Sequence, residues 1–134
     1  MTKLTTVEGI GPVYAEKLQE IGISTAEALL EQGATPKGRQ EIAEKSGIPY
    51  AKVLEWINHV DLFRIKGVGE EYADLLEAAG VDTVPELAQR NPGNLHEKMT
   101  AVNAEKKLVR QIPTSAQVAD WVEQAKQLPR VITY

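Results

Sequence analysis

Apolar positions recur along this chain at the spacing of helices rather than strands. Val53, Leu54, Trp56, Ile57 and Val60 form a stripe on one face of a 3.6-residue helix, and strand-like alternation is absent. The pattern predicts a string of short helices. A longer one starts at about Tyr50, runs towards Asp61 and feeds Leu62-Phe63-Arg64-Ile65 into the second half. Punctuation supports this division. Gly22 and Gly80 are placed to end helices, and Ser24 with Glu27 and Thr83 with Glu86 have the spacing of capping boxes that start the next ones. Thr35 before Pro36 reads as an N-cap followed by proline at the first helical position. Asn91-Pro92-Gly93-Asn94 is the strongest break in the second half.

The pattern also repeats. Val7-Glu8-Gly9-Ile10-Gly11-Pro12-Val13-Tyr14-Ala15-Glu16-Lys17-Leu18 returns as Ile65-Lys66-Gly67-Val68-Gly69-Glu70-Glu71-Tyr72-Ala73-Asp74-Leu75-Leu76. The register holds through Gly22-Ile23-Ser24-Thr25 against Gly80-Val81-Asp82-Thr83. Further on, Leu54-Glu55-Trp56-Ile57 resembles Ala119-Asp120-Trp121-Val122 once extra residues are allowed in the second half. The expected architecture is therefore all-α: two related helical units, residues 1–61 and 62–134, packed as one compact body. Trp56 and Trp121 are expected to be core anchors, and Tyr14 and Tyr72 to brace the turns beside them.

Each copy fulfils the pattern apolar-x-Gly-apolar-Gly-x-x-x-Ala-x-x-Leu. Glycines one residue apart let the backbone take positive φ and turn tightly between helices, a conformation that is costly with a Cβ. Gly11 and Gly69 are expected to supply it. The intervening Ile10 or Val68 anchors the turn, and Ala15 or Ala73 allows the two helices to approach closely. This spacing resembles the helix-hairpin-helix motif of DNA repair, recombination and replication proteins, within a SAM-like or helix-hairpin-helix-like fold. The resemblance implies that the amides of the hairpin and of the following helix start contact a nucleic-acid phosphate without reading bases. At the scale of the whole chain, the sequence is similar to a bacterial family of uncharacterised helix-hairpin-helix domains. Gly33-Ala34-Thr35-Pro36-Lys37-Gly38-Arg39, Asp61-Leu62-Phe63-Arg64-Ile65-Lys66-Gly67 and Ala125-Lys126-Gln127-Leu128-Pro129 carry that likeness, which brings no known activity.

Composition changes this picture at a few points. A 43% apolar and 25% charged chain of 134 residues is that of an ordinary globular protein. No apolar run approaches the roughly 18 residues of a membrane span, and the start lacks the apolar core of a signal peptide, so a cytoplasmic location without membrane attachment is expected. The absence of cysteine excludes disulfides, thiolate nucleophiles and cysteine-ligated zinc. His59 and His96 are isolated in sequence and read as surface or capping residues. No Walker, dinucleotide, zinc-protease or serine-nucleophile signature occurs, so neither catalysis, a cofactor nor a small-molecule substrate is expected.

The net charge of −4 restricts any nucleic-acid contact to a local and weak one. Candidate contacts are Gly9, Ile10, Gly11, Val13, Tyr14 and Lys17 at the first hairpin, and Gly67, Val68 and Gly69 at the second. Pro12 removes one amide donor from the first. Glu70 and Glu71 stand where a phosphate would have to approach the second, and Arg64 and Lys66 offset them only in part. Lys106, Lys107 and Arg110 form the densest basic cluster and Lys37 with Arg39 a smaller one; both read as solvated helix faces. Two readings follow: a non-enzymatic module binding a DNA backbone weakly and without sequence preference, or a protein-interaction scaffold that keeps the fold without phosphate contact. Oligomeric state has no signature in the sequence.

Overall fold

Local chemistry along the chain sets where each helix starts and stops. A computed structural model describes residues 2–134, and every regular element among them is helical. A 3-10 turn at Leu4–Thr6 precedes α1 (Pro12–Glu20), α2 (Ala26–Gln32), α3 (Pro36–Ser46) and α4 (Tyr50–Leu62). The second half supplies α5 (Glu70–Ala78), α6 (Val84–Ala88), α7 (Pro92–Lys106) and α8 (Ser115–Gln127). An isolated antiparallel bridge joins Lys3 to Thr25. No helix among the described residues is long and apolar enough to cross a membrane.

Helix starts use hydroxyl and amide side chains to accept backbone N–H groups that have no intrahelical partner. Thr35 accepts from the Gly38 amide at 3.0 Å and Asn91 from Asn94 at 3.0 Å, each ahead of a proline in the first turn. Thr114 and Gln117 form a full capping box at α8. Two expectations need correction. The cap of α2 is Thr25, which accepts from the Ala28 amide at 3.1 Å, whereas Ser24 is exposed one residue outside; Glu27 accepts from the Thr2 amide instead. Thr83 does precede α6, but its hydroxyl donates to Glu86, whose other oxygen accepts from the Asp82 amide, so no capping box closes there.

Helix ends behave as the glycines predict. Gly22 (φ +89°) and Gly80 (φ +94°) follow α1 and α5. Gly22 N–H donates to Gln19 and Ile23 N–H to Leu18; Gly80 N–H donates to Glu77 and Val81 N–H to Leu76. This is the Schellman arrangement, which satisfies two carbonyls at each helix end and needs a left-handed residue to do so.

The described chain divides into two units, one running to Asp61 and taking back Val131–Tyr134, the other Leu62–Arg130. In the first, α1 and α2 both pack on α3. Its buried apolar residues include Leu18, Ile23, Leu29, Ile42, Val53, Trp56 and Ile57. In the second, α8 packs on α6 and α7, and α5 on α7; Leu76, Val81, Leu87, Leu95, Met99, Val118 and Trp121 are among those that fill the core. Both tryptophans are buried, as expected of core anchors.

Arg39 departs from its expected place on a solvated face. Only 1% of its surface is exposed. Its guanidinium donates to the Gly33 carbonyl at 2.9 Å, to the Thr133 carbonyl at 2.7 Å and to the Tyr50 hydroxyl at 3.0 Å, and it lies 5.5 Å from the centre of the Tyr134 ring. A buried cation is tolerated where such partners replace water. His59 is likewise buried rather than superficial. His96 is half-buried, with Nε2 2.9 Å from the Pro113 carbonyl.

Candidate nucleic-acid interface

Each glycine turn is built the same way within its own unit. In the first, Ile10 N–H donates to Val7 at 3.0 Å and Ala15 N–H to Gly11 at 2.9 Å. Ile10 is buried between two exposed glycines. In the second, Val68 N–H donates to Ile65 at 3.1 Å and Ala73 N–H to Gly69 at 2.9 Å, with Val68 buried. The apolar residue pulls the turn onto the core. The glycines flanking it keep the backbone accessible.

The left-handed residue is the first glycine of each pair, not the second as expected. Gly9 has φ +92° and Gly67 φ +97°, whereas Gly11 (φ −88°) and Gly69 (φ −98°) are extended N-cap residues of α1 and α5. The tryptophans give the first glycine a second constraint. A Cβ at Gly9 would stand 3.0 Å from Trp56 Nε1, and one at Gly67 would stand 3.0 Å from Trp121 Nε1, while Gly11 and Gly69 face open space. Each indole is thus seated against the turn. Each also packs beside the tyrosine of the helix that follows the turn, with Tyr14 and Trp56 ring centres 5.1 Å apart and Tyr72 and Trp121 5.2 Å apart, both tilted. The tyrosines therefore brace the turns through the buried indoles.

The surroundings of the two turns differ in charge. Lys17 Nζ lies 5.9 Å, and Lys52 Nζ 5.8 Å, from the centre of the Tyr14 ring, so two cations flank a tyrosine of the first turn of α1, Lys17 reaching it from the last turn of the same helix. No acidic residue occupies the first turn of α1. Val13, beside Tyr14, is 67% exposed. In the second unit Glu70 and Glu71 occupy the first turn of α5 and are exposed. The Tyr72 hydroxyl donates to the Gln111 carbonyl at 3.1 Å. The segment entering that turn is held by Gln124, which accepts from the Lys66 amide at 2.9 Å and donates to the Lys66 carbonyl at 3.1 Å.

Gly9, Ile10, Gly11, Val13, Tyr14 and Lys17 are thus brought together at one turn, and Gly67, Val68 and Gly69 at the other. Lys52 joins the first group although no local motif marks it. The available signal was its position four residues before Trp56 on one helix, which places both on neighbouring parts of one face.

The chain belongs to a family described as a domain of unknown function (DUF4332), whose model matches residues 8–128. That span takes in both glycine turns and helices α1 to α8. No curated protein and no solved structure matches the chain.

Proposed function

We propose that this protein is a non-enzymatic binding module of two helix-hairpin-helix units, whose first hairpin makes weak, sequence-independent contact with a DNA backbone. The observation that carries this reading is the pairing of Lys17 and Lys52 about Tyr14 at the start of α1. There the positive end of the helix and its first amides add to the two cations. Pro12 offers no N–H, so Gly11, Val13 and Tyr14 are the donors. The second hairpin is chiefly structural, because Glu70 and Glu71 complement the start of α5 themselves and repel a phosphate.

The experiment is fluorescence anisotropy of labelled duplex and single-stranded DNA across a salt series. Duplex binding on the order of 10⁻⁴ to 10⁻⁶ M, weakening as salt rises, is expected. Lys17→Glu and Lys52→Glu should each remove most of it. A wild-type protein that binds no DNA even at low salt would refute this reading.

A second reading has its own support. Val13, 67% exposed as the second residue of α1, is an apolar contact suited to a protein partner. A scaffold module built on it would lose its partner on Val13→Asp and be indifferent to both lysine substitutions.

A further inference from the structure

The most basic stretch of the chain is solvated, as its sequence suggests, but lies on a helix end and the loop beyond it rather than along a helix face. Lys106 is the last residue of α7, Lys107 is its C-cap, and Arg110 lies in the loop beyond. Three cations within five residues stand against the one carboxylate of Glu105 beside them. All three are exposed, as is Leu108.

The loop that carries them is pinned. Asn103 holds Val109 at two points, accepting from its amide at 2.9 Å and donating to its carbonyl at 3.2 Å. Val109 is buried in the core of the second unit. The Gln111 carbonyl accepts from the Tyr72 hydroxyl. Lys107 itself is the one non-glycine residue with positive φ among the described residues, at φ +52° and ψ +48°. Helices commonly terminate with a left-handed residue, but glycine or asparagine ordinarily fills that place, because a Cβ there is strained. Complementing the helix dipole accounts for cations in the last turn. It does not account for a lysine at a position where glycine is the less strained residue, nor for Arg110 beyond the helix end.

We propose that the loop from Lys106 to Gln111 is a second nucleic-acid contact, with Lys106, Lys107 and Arg110 each neutralising one backbone phosphate. The choice of ligand rests on the nucleic-acid reading of the first hairpin; the site itself is independent of it. A preformed loop loses little freedom on binding, so its cations act at small entropic cost. Nucleic acid fits better than an anionic membrane, because polybasic membrane segments gather about four to eight cations and this loop has three beside one partly exposed leucine.

The test uses the full chain, a labelled duplex between 50 and 200 mM salt, vesicles containing phosphatidylserine, and thermal melting. Lys107→Gly relieves the strained backbone while removing a cation, so its melting temperature should rise by about 2 °C. Its duplex affinity at 50 mM salt should fall about tenfold and its salt slope by about one. The Lys106→Gln/Arg110→Gln variant should lower the slope by about two. A Lys107→Gly protein that melts higher and binds duplex as tightly as wild type would reduce the lysine to a helix terminus and overturn the proposal. So would loss of vesicle binding with duplex binding unchanged. If Lys17→Glu abolishes binding while the loop variants keep it, the hairpin stands and the loop falls. The opposite result sustains the loop and removes the hairpin, and no wild-type binding at 50 mM salt removes both.

Discussion

The Arg39 guanidinium donates to the backbone carbonyl of Thr133 across 2.7 Å, tying α3 to a segment 94 residues further along the chain. The same segment returns a hydrogen bond from the Thr133 amide to the Ala34 carbonyl at 2.8 Å. Tyr134 covers the guanidinium with its ring and donates to Asn58 at 2.7 Å. Arg39→Met keeps much of the side-chain volume but removes every donor, leaving the Gly33 and Thr133 carbonyls without it. Charge-assisted hydrogen bonds of this kind make the expected loss about 2 to 4 kcal/mol in urea unfolding. Hydrogen exchange at Thr133 should quicken in parallel, and a variant as stable as wild type with a protected Thr133 amide would show that the guanidinium does not hold the segment.

The glycines of each turn should differ in their tolerance to substitution. Gly9→Ala and Gly67→Ala place a Cβ at positive φ and 3.0 Å from an indole nitrogen, so each should destabilise by about 1 to 3 kcal/mol. Gly11→Ser and Gly69→Ser meet open space at N-cap positions that favour serine, and should be neutral or stabilising by about 0.5 kcal/mol. Chemical denaturation of the four variants checks the ordering, and equal losses at both glycines of a pair would contradict the turn geometry.

At the start of α2, Thr25→Ala should cost about 1 kcal/mol by removing the acceptor of the Ala28 amide. Ser24→Ala, one residue earlier, should leave the melting temperature within experimental error. The reverse order would return the cap to Ser24.

Replacing both Glu70 and Glu71 with lysine reverses the charge at the start of α5. Under the DNA-binding reading duplex affinity should increase, because two repulsive groups become attractive. The fold should lose about 0.5 to 1 kcal/mol, since cations are unfavourable at a helix N-terminus. Anisotropy and thermal melting on one preparation separate the two effects, and unaltered duplex affinity would mean that no phosphate approaches this helix end.

Most features set by neighbours in sequence are legible from it, although the α2 cap falls on Thr25 rather than Ser24 and the Thr83–Glu86 box stays open; the hydrogen bonds to distant partners are not. Thr35-Pro36, Gly22 and Gly80 act within a few residues of themselves, so their chemistry shows in the local pattern. The core tryptophans were legible because a helical stripe dictates which face is buried. Arg39 looked like a surface cation because the carbonyls that accept from it come from residues 33 and 133, whose meeting no local pattern encodes. The glycine pairs read as turns from their spacing, but the indole that closes on the first member of each comes from another helix, which no local pattern encodes. Lys52 acquires its place only through Tyr14, which comes from α1 and which the pattern of α4 does not encode.

The return of Val131–Tyr134 to the first unit gives the chain the topology of an insertion, with residues 62–130 interrupting the first unit rather than following it. A protein made from its N-terminus finishes the inserted unit before it has finished the first. Arg39 is synthesised early and receives its Thr133 partner only after residues 62–130 have emerged. Any premature stop within the second half therefore also leaves the first unit with a buried guanidinium deprived of an acceptor. Such a fragment would present a damaged first unit to the proteases that remove incomplete chains, even where the break lies wholly in the second.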